Sequence, residues 1–374
     1  MSTVIEGIEF SGIKAQGDRL RSSIDARIAE VFDHGRFIMG PEVAELEAGL
    51  AALAPGTEVV SCSSGTDALT LCLMAAGVEP GDAVIVPSFT FTATAEVVAL
   101  LGAVPVFADV EADTFNMGPD QAQRAIAAAG DAGLRVKAVM PVDMFGLPAD
   151  YDALVPVAQA AGTAVIADAA QSFGGELRQR PVGSLAPLTA TSFFPSKPLG
   201  AYGDGGAVFS TDGSCAQVMR SLRVHGKGTH KYDAVRIGLN ARLDTFQAAV
   251  LLSKLEVFRE EIQARREVAQ RYGEMLPAAL APHVPEGFAS AWAQFTVKVE
   301  HRDKTVELLT EAGVPTAIYY PVPLHLQPAY RHFPAAGELT VSTELAAQVL
   351  SLPMHPYLEP SQQRLVVDAL AVAL

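Results

Sequence analysis

The chain has 374 residues, 49% apolar and 18% charged, which excludes a disordered polymer and supplies enough apolar material for two cores. A formal net charge of −15 argues against nucleic-acid or membrane-surface partners, since both need a basic face. Cys62, Cys72 and Cys215 form no CxxC pair and read as small buried apolar side chains of a reducing compartment, not a disulfide frame or zinc site.

Residues 1–20 are weakly patterned and lack the apolar core of a secretory signal; they read as an arm that packs on a neighbour. Apolar positions recur at helical spacing over 20–32 and 42–53. An alternation then begins: strands over 57–62, 83–86, 104–108, 136–142 and 163–167, with helices over 65–76, 93–101, 119–129 and 151–161 between and among them. The most apolar windows, such as 96–110, carry charge or proline and fall short of a membrane span, so a cytoplasmic protein is expected. Strands over 188–193 and 206–210 follow. Near-continuous apolar runs separated by helices predict a mostly parallel sheet covered on both faces. After Asp244 the character changes: one long amphipathic helix from 245 to about 276, a proline-containing linker to Gly287, a strand over 292–299 and helices over 304–312 and 362–373. The division expected is a large domain over 1–245 and a smaller α+β domain over 246–374.

In such a sheet the ligand sits beyond the carboxyl ends of the strands, so the residues just after each strand carry the functional argument. The first strand runs into Ser63-Ser64-Gly65-Thr66-Asp67, where Ser64 can cap the helix and Asp67 can close a capping box. The same helix start, with Gly65 and the Thr66 hydroxyl, also suits a phosphate group. The second strand exits at Phe89 and Phe91; either can be core, and Phe91 is the candidate for stacking on a flat ring. The fifth ends at Asp168, which either caps the following turn or pairs with a protonated pyridine nitrogen. Beyond the strand over 188–193, Lys197 lies between Ser196 and Pro198 and before a glycine-rich turn. A loop lysine is ordinarily a solvated surface group; partly desolvated in a pocket, it becomes an amine able to form a Schiff base.

Phosphate cradle, stacking ring, acid for a pyridinium and reactive lysine together describe a pyridoxal-phosphate site. Five segments, SSGTDAL, VIVPSFTFTATAE, VIADAAQSFG, SFFPSKPLGAYGDGGAVF and IGLNARLDTFQAA, occur in an order that resembles the DegT/DnrJ/EryC1/StrS sugar aminotransferases of the aspartate-aminotransferase (fold type I) group, over nearly the full length. The resemblance implies that Lys197 holds pyridoxal 5′-phosphate, Asp168 pairs with its ring nitrogen and Gln171 contacts its ring hydroxyl. It implies that Gly65, Thr66 and Ser192 bind the phosphate and that Phe91 stacks on the ring. Asn240 would reach the phosphate of the partner subunit's cofactor, which makes a homodimer with shared sites the active unit. Members with histidine in place of the lysine act as dehydratases, and this chain keeps Lys197.

Residues 220–242 hold Arg220, Arg223, Lys227, Lys231, Arg236 and Arg242 with His225 and His230, against one acid, Asp233. Arg220 and Arg223 read as a solvated helix end, and 225–242 as a loop that receives a diphosphate or carboxylate. Tyr320 and His325 lie in segments that resemble the family's substrate-facing part, which adds them to His225 and Arg242 as substrate-binding candidates. The likeness implies transfer of an amino group from L-glutamate to C3 of a keto-sugar nucleotide in cell-surface (lipopolysaccharide-type) polysaccharide precursor synthesis. It runs closest to members acting on UDP-2-acetamido-2-deoxy-3-oxo-glucuronate, with Arg242 gripping the C6 carboxylate. A dTDP-linked 3-oxo- or 4-oxo-6-deoxyhexose is the alternative substrate, and a regulatory homologue without catalysis the alternative class.

Overall fold

The computed structural model describes residues 7–230 and 232–374. Helices α1 (Ile13–His34) and α2 (Pro41–Leu53) lead into β1 (Glu58–Cys62), α3 (Gly65–Ala75), β2 (Ala83–Pro87), α4 (Ala93–Leu100), β3 (Val104–Ala108), α5 (Pro119–Asp131), β4 (Val136–Val139), α6 (Tyr151–Ala160) and β5 (Ala164–Asp168). Two short strands, β6 (Glu176–Leu177) and β7 (Arg180–Pro181), precede β8 (Leu188–Ser192), β9 (Gly206–Ser210) and α7 (Gly213–Leu222). The remainder comprises α8 (Thr245–Leu255), α9 (Phe258–Met275), β10 (Phe288–Ala289), β11 (Phe295–Lys298), α10 (Arg302–Glu311), α11 (Thr340–Gln348), β12 (Val349–Leu352) and α12 (Pro360–Ala373).

Seven strands form one sheet in the order β1-β9-β8-β5-β4-β2-β3, parallel except for β9, which runs antiparallel to both neighbours. The sequence explains this layering. β2 reads Ala-Val-Ile-Val-Pro with every residue buried, as a strand covered on both faces must be. Side-chain caps start α3 (Ser64), α6 (Asp150), α7 (Asp212) and α8 (Asp244), and proline starts α2 and α5. One face of the sheet packs on α3, α4 and α7 through Leu69, Leu73, Val97 and Met219, the other on α5 and α6 through Ala125, Tyr151 and Leu154. A further cluster joins α2 and α8 to Phe193, Leu199 and Ala201 of the loop after β8. The antiparallel pair β11–β12 encloses its own cluster with α9, α10 and α12, built on Val268, Tyr272, Phe295, Leu350, Leu352, Val366 and Leu370. Each large side chain fully buried in this way stabilises the fold by about 1.5–3 kcal/mol.

Several boundaries differ from expectation for physical reasons. Residues 1–6 of the expected arm lie outside the described residues, and α1 already begins at Ile13. What precedes it packs on the same chain: Phe10 O accepts from Met354 N at 3.1 Å, and a side chain at Gly12 would collide with His355. The long helix expected over 245–276 is two helices, broken at Glu256–Val257. α8 is buried nearly all round against α1, α2 and the loop after β8, whereas α9 buries a single stripe on the β11–β12 side, so one straight axis cannot serve both. β4 ends at Val139 because Pro141 has no N–H for the ladder. The strand expected over 292–299 shortens to β11, since Trp292 takes a left-handed φ of 50°. No turn residue separates α11 from β12, so the periodicity of 340–352 marks neither. Among the described residues no helix is long and apolar enough to cross a membrane.

Candidate active site

The carboxyl ends of β1, β2, β4, β5 and β8 share one edge of the sheet, and five loops converge there. The loop after β1 starts α3. Ser64 Oγ accepts from Asp67 N at 3.0 Å and Ser64 O from Ala68 N at 3.0 Å, and among the described residues the N–H groups of Gly65 and Thr66 at the positive end of the helix have no acceptor. The capping box itself does not close, because the Asp67 carboxylate accepts from the Ser63 hydroxyl instead. Gly65 lies directly against the end of β8: a Cβ there would sit 2.7 Å from Ser192 Cβ and 3.0 Å from its Oγ. Since Ser192 Oγ accepts from Phe194 N at 3.2 Å, its proton is free to point outward. Two N–H groups, a hydroxyl and a helix dipole thus form an anion cradle that a side chain at Gly65 would fill.

Asp168 is buried at the end of β5, where Thr94 Oγ1 donates to it at 2.8 Å and Ala170 N at 3.2 Å. Burial raises its pKa, opposed by those two donors and by the charge of Lys197. Two donors leave this carboxylate with spare acceptor capacity, which suits it to receive a further N–H from a bound group. Lys197 sits half-buried in a turn closed by its own N–H on Phe194 O at 2.9 Å. Burial pushes its ammonium down to about 8, and the charge of Asp168 opposes the fall. Gln171 is buried and its amide oxygen accepts from Phe145 N at 2.8 Å, so what it has left to offer, near the Tyr320 phenol, is its NH2 donor. Burial raises the pKa of that phenol.

The two aromatics after β2 separate cleanly. Phe89 is enclosed with Phe115 and Phe145, whereas Phe91 is 52% exposed, its ring centre 5.9 Å from that of Tyr320. Ser88 Oγ lies 2.6 Å from His325 Nδ1 and accepts from His325 N at 3.3 Å, which favours a neutral imidazole with its proton on Nε2. Burial lowers the His325 pKa in the same sense.

His225 and Asn240 lie exposed at the base of a hairpin, tied by His225 N on Leu239 O at 2.8 Å and a Val224–Asn240 bridge. Tyr232, Val235 and Ile237 stand out from it into solvent, and Lys231 lies outside the described residues. Arg242 is half-buried, and among the described residues its buried Nε has no acceptor. Ala241 O accepts from Ser63 N at 3.2 Å, so this segment borders the start of α3, although His225, Asn240 and Arg242 bond to none of the cradle residues. Arg223 is not the solvated helix end expected. It is buried on Glu47 at 2.5 Å and on Ser61 O at 2.7 Å, while Arg220 pairs with Glu58 at 2.6 Å. A cavity of about 430 Å³ between the end of α2 and α9 contains none of these residues.

Sequence reasoning missed Asp143, a fully buried acid after β4 that accepts from Tyr151 Oη at 2.7 Å, Ala149 N at 2.8 Å and Ser172 Oγ at 2.5 Å. Burial pushes it up to about 7 against those three donors. Its signal was the one that exposed Asp168, a carboxylate closely following an apolar strand.

With this geometry in place, the model of the DegT/DnrJ/EryC1/StrS aminotransferase family matches residues 18–371. The chain belongs to that family. It is 46% identical over 365 residues to the UDP-2-acetamido-2-deoxy-3-oxo-D-glucuronate aminotransferase of Pseudomonas aeruginosa, covering 97% of this chain and 99% of that one. It is 39% identical to the dTDP-3-amino-3,4,6-trideoxy-alpha-D-glucose transaminase of Streptomyces venezuelae, covering 97% and 95%. The crystal structure of a family aminotransferase from Brucella abortus superposes with a TM-score of 0.96 at 48% identity, covering 98% and 99%. The fold is therefore fold type I, and the enzyme is a pyridoxal-phosphate-dependent aminotransferase. The residues present fit that cofactor: an anion cradle, a buried carboxylate with acceptor capacity to spare, and an amine whose ammonium burial pushes down to about 8.

Proposed function

We propose that this enzyme moves the amino group of L-glutamate to C3 of a nucleotide-linked 3-oxo sugar, UDP-2-acetamido-2-deoxy-3-oxo-glucuronate, in the cytoplasm, on the way to a cell-surface polysaccharide. Arg242 carries the choice of a uronate. Its guanidinium is half-buried next to the start of α3, and among the described residues its buried Nε has no acceptor. A guanidinium grips a carboxylate through two parallel hydrogen bonds. The 46% identity to the P. aeruginosa enzyme supports the same reading.

The cofactor, when bound, supplies an aldehyde that takes up amino groups and a ring that withdraws electrons. Lys197 would hold it and, when released, would move a proton at the substrate carbon, as an amine whose ammonium burial pushes down to about 8. Asp168 keeps the ring nitrogen protonated, and Gln171 donates to the ring oxygen. The N–H groups of Gly65 and Thr66 and the Ser192 hydroxyl hold the phosphate, and Phe91 covers one ring face. Tyr320, His325 and His225 line the sugar side. The active unit is a homodimer in which Asn240 serves the neighbouring site. Exposed Phe32 and Phe37, packed on Phe246, and exposed Ile237 are the apolar surface that a second subunit would cover.

The S. venezuelae relative supports a second reading, in which the sugar is a neutral dTDP-linked 6-deoxyhexose. Comparing kcat/KM for both sugars in wild type and Arg242→Ala separates the two. The loss of one charge-assisted grip costs about 1.5–3 kcal/mol, or roughly ten- to hundredfold, on the uronate alone. A separate measurement of the glutamate half-reaction shows whether Arg242 serves the donor carboxylate instead. The uronate reading is lost if the neutral sugar is the better substrate and Arg242→Ala affects both equally.

A further inference from the structure

Helix α8 carries Gln247 and Lys254, seven residues apart and so on one face. That face meets the chain just after Lys197. Lys254 is 1% exposed; its Nζ donates to Gly200 O at 2.6 Å and lies 4.2 Å from the centre of the Tyr202 ring. Gln247 Oε1 accepts from Tyr202 N at 2.9 Å. Lysine is rarely buried, and its neighbours on α8 include Leu251 and Leu252 of the apolar cluster. Its partners are a carbonyl and an aromatic face rather than a carboxylate; the charge of Glu261 on α9 acts on it from beyond ion-pair distance.

The carbonyl it holds ends the turn that presents Lys197. Lys197 N donates to Phe194 O, Ala201 N donates to Phe193 O at 2.7 Å, and a methyl at Gly200 would overlap the Pro195 carbonyl. Residues 193–201 thus fold back on themselves, and Leu199 and Ala201 are buried beside α8. If Lys254 lost its donor, the buried Gly200 carbonyl would have to turn toward water, and the loop would turn with it.

We infer that Lys254 is a positioning residue for Lys197: by anchoring the Gly200 carbonyl, with Gln247 anchoring the Tyr202 amide, α8 sets the direction in which the loop presents its amine toward Asp168. The inference rests on Lys197 as the cofactor-bearing lysine. It is tested on the full-length apoenzyme, stripped of pyridoxal phosphate, by competitive labelling of amines with acetic anhydride across pH and mass-spectrometric mapping of Lys197.

Lys254→Met keeps the length of the side chain and removes the donor. A loosened loop admits water to the Lys197 ammonium, so its labelling midpoint should rise toward that of an ordinary lysine. Each unit of rise slows labelling below the midpoint about tenfold. Lys254→Met also removes a charge, so Gln247→Leu, which removes none and is only half-buried, separates anchoring from electrostatics; it should shift the midpoint in the same direction by a smaller amount. Both variants should lower kcat with little change in the KM for glutamate. An unchanged Lys197 midpoint in the variants, or a shift in Lys254→Met alone, overturns the positioning role even if thermal stability drops. If Lys254→Met does not fold, Gln247→Leu decides by itself. Borohydride reduction of the wild-type holoenzyme followed by peptide mapping tests Lys197 itself; label on another lysine overturns the cofactor reading, and so is distinguishable from failure of the anchor.

Discussion

Adding one methyl group at Gly65 sets two effects against each other. Alanine is the better helix former by about 0.5–1 kcal/mol, and Gly65 does not occupy the left-handed region, so the backbone raises no objection. The new Cβ, however, would stand 2.7 Å from Ser192 Cβ, about 1 Å inside ordinary carbon–carbon contact. Ser192 ends β8 paired to Gly206 of β9, which restrains it from retreating. Overpacking of this kind costs about 1–3 kcal/mol, so the clash outweighs the gain in propensity and the first turn of α3 moves away from β8. That widens the gap between the Gly65 and Thr66 N–H groups and the Ser192 hydroxyl. The expected result is a cofactor Kd raised about ten- to hundredfold, with kcat at saturating cofactor changed only a few-fold. Absorbance titration of the Gly65→Ala apoenzyme with pyridoxal phosphate measures the first, and its melting temperature monitors the fold. Unchanged cofactor affinity with a lowered melting temperature would refute the cradle and leave Gly65 as a packing glycine.

Asp168→Asn removes the charge that holds a proton on Lys197, so in the apoenzyme the Lys197 labelling midpoint should fall further below about 8, and turnover of the loaded enzyme should drop severely; a rise in the midpoint would contradict the coupling. Arg223→Met strands the Glu47 carboxylate in a largely buried site. Because Glu47 keeps the N–H and hydroxyl of Ser61, the loss of stability should lie near the low end for a broken buried pair, about 3 kcal/mol, read from the urea midpoint at constant m. Chains carrying Lys197→Ala or Asn240→Ala should each be impaired, while verified mixed dimers regain one working site. No recovery in such heterodimers would count against sites shared across the interface.

Most of the parallel sheet was legible because its strands are buried on both faces and its helices begin with caps or proline. Asp168 could be read as well, since a carboxylate just beyond an apolar run always requires an explanation. The same rule applied to Asp143, but its partners Tyr151 and Ser172 are brought to it only by the fold. Arg223 was misread because a cation at a helix end is usually solvated, and only the fold shows Glu47 and Ser61 waiting beneath it. Lys254 carries no local signal at all: within TFQAAVLLSKL it has the look of a polar residue ending a helix, and its value lies in a carbonyl 54 positions away. The break at Glu256–Val257 was hidden for a similar reason, since helical periodicity runs through it unbroken while the surroundings change.

The reversal of β9 has a consequence for how this chemistry can be re-engineered. Because β9 returns beside β8, the segment that bears Lys197 leaves and re-enters the sheet at one facing pair, Ser192 and Gly206. No crossover helix depends on it. It is a cassette with both feet on neighbouring strands, open to exchange as one piece without rethreading the sheet. A graft must keep the carbonyl of Gly200 and the amide of Tyr202 in place, because their partners Lys254 and Gln247 belong to the host helix and not to the insert.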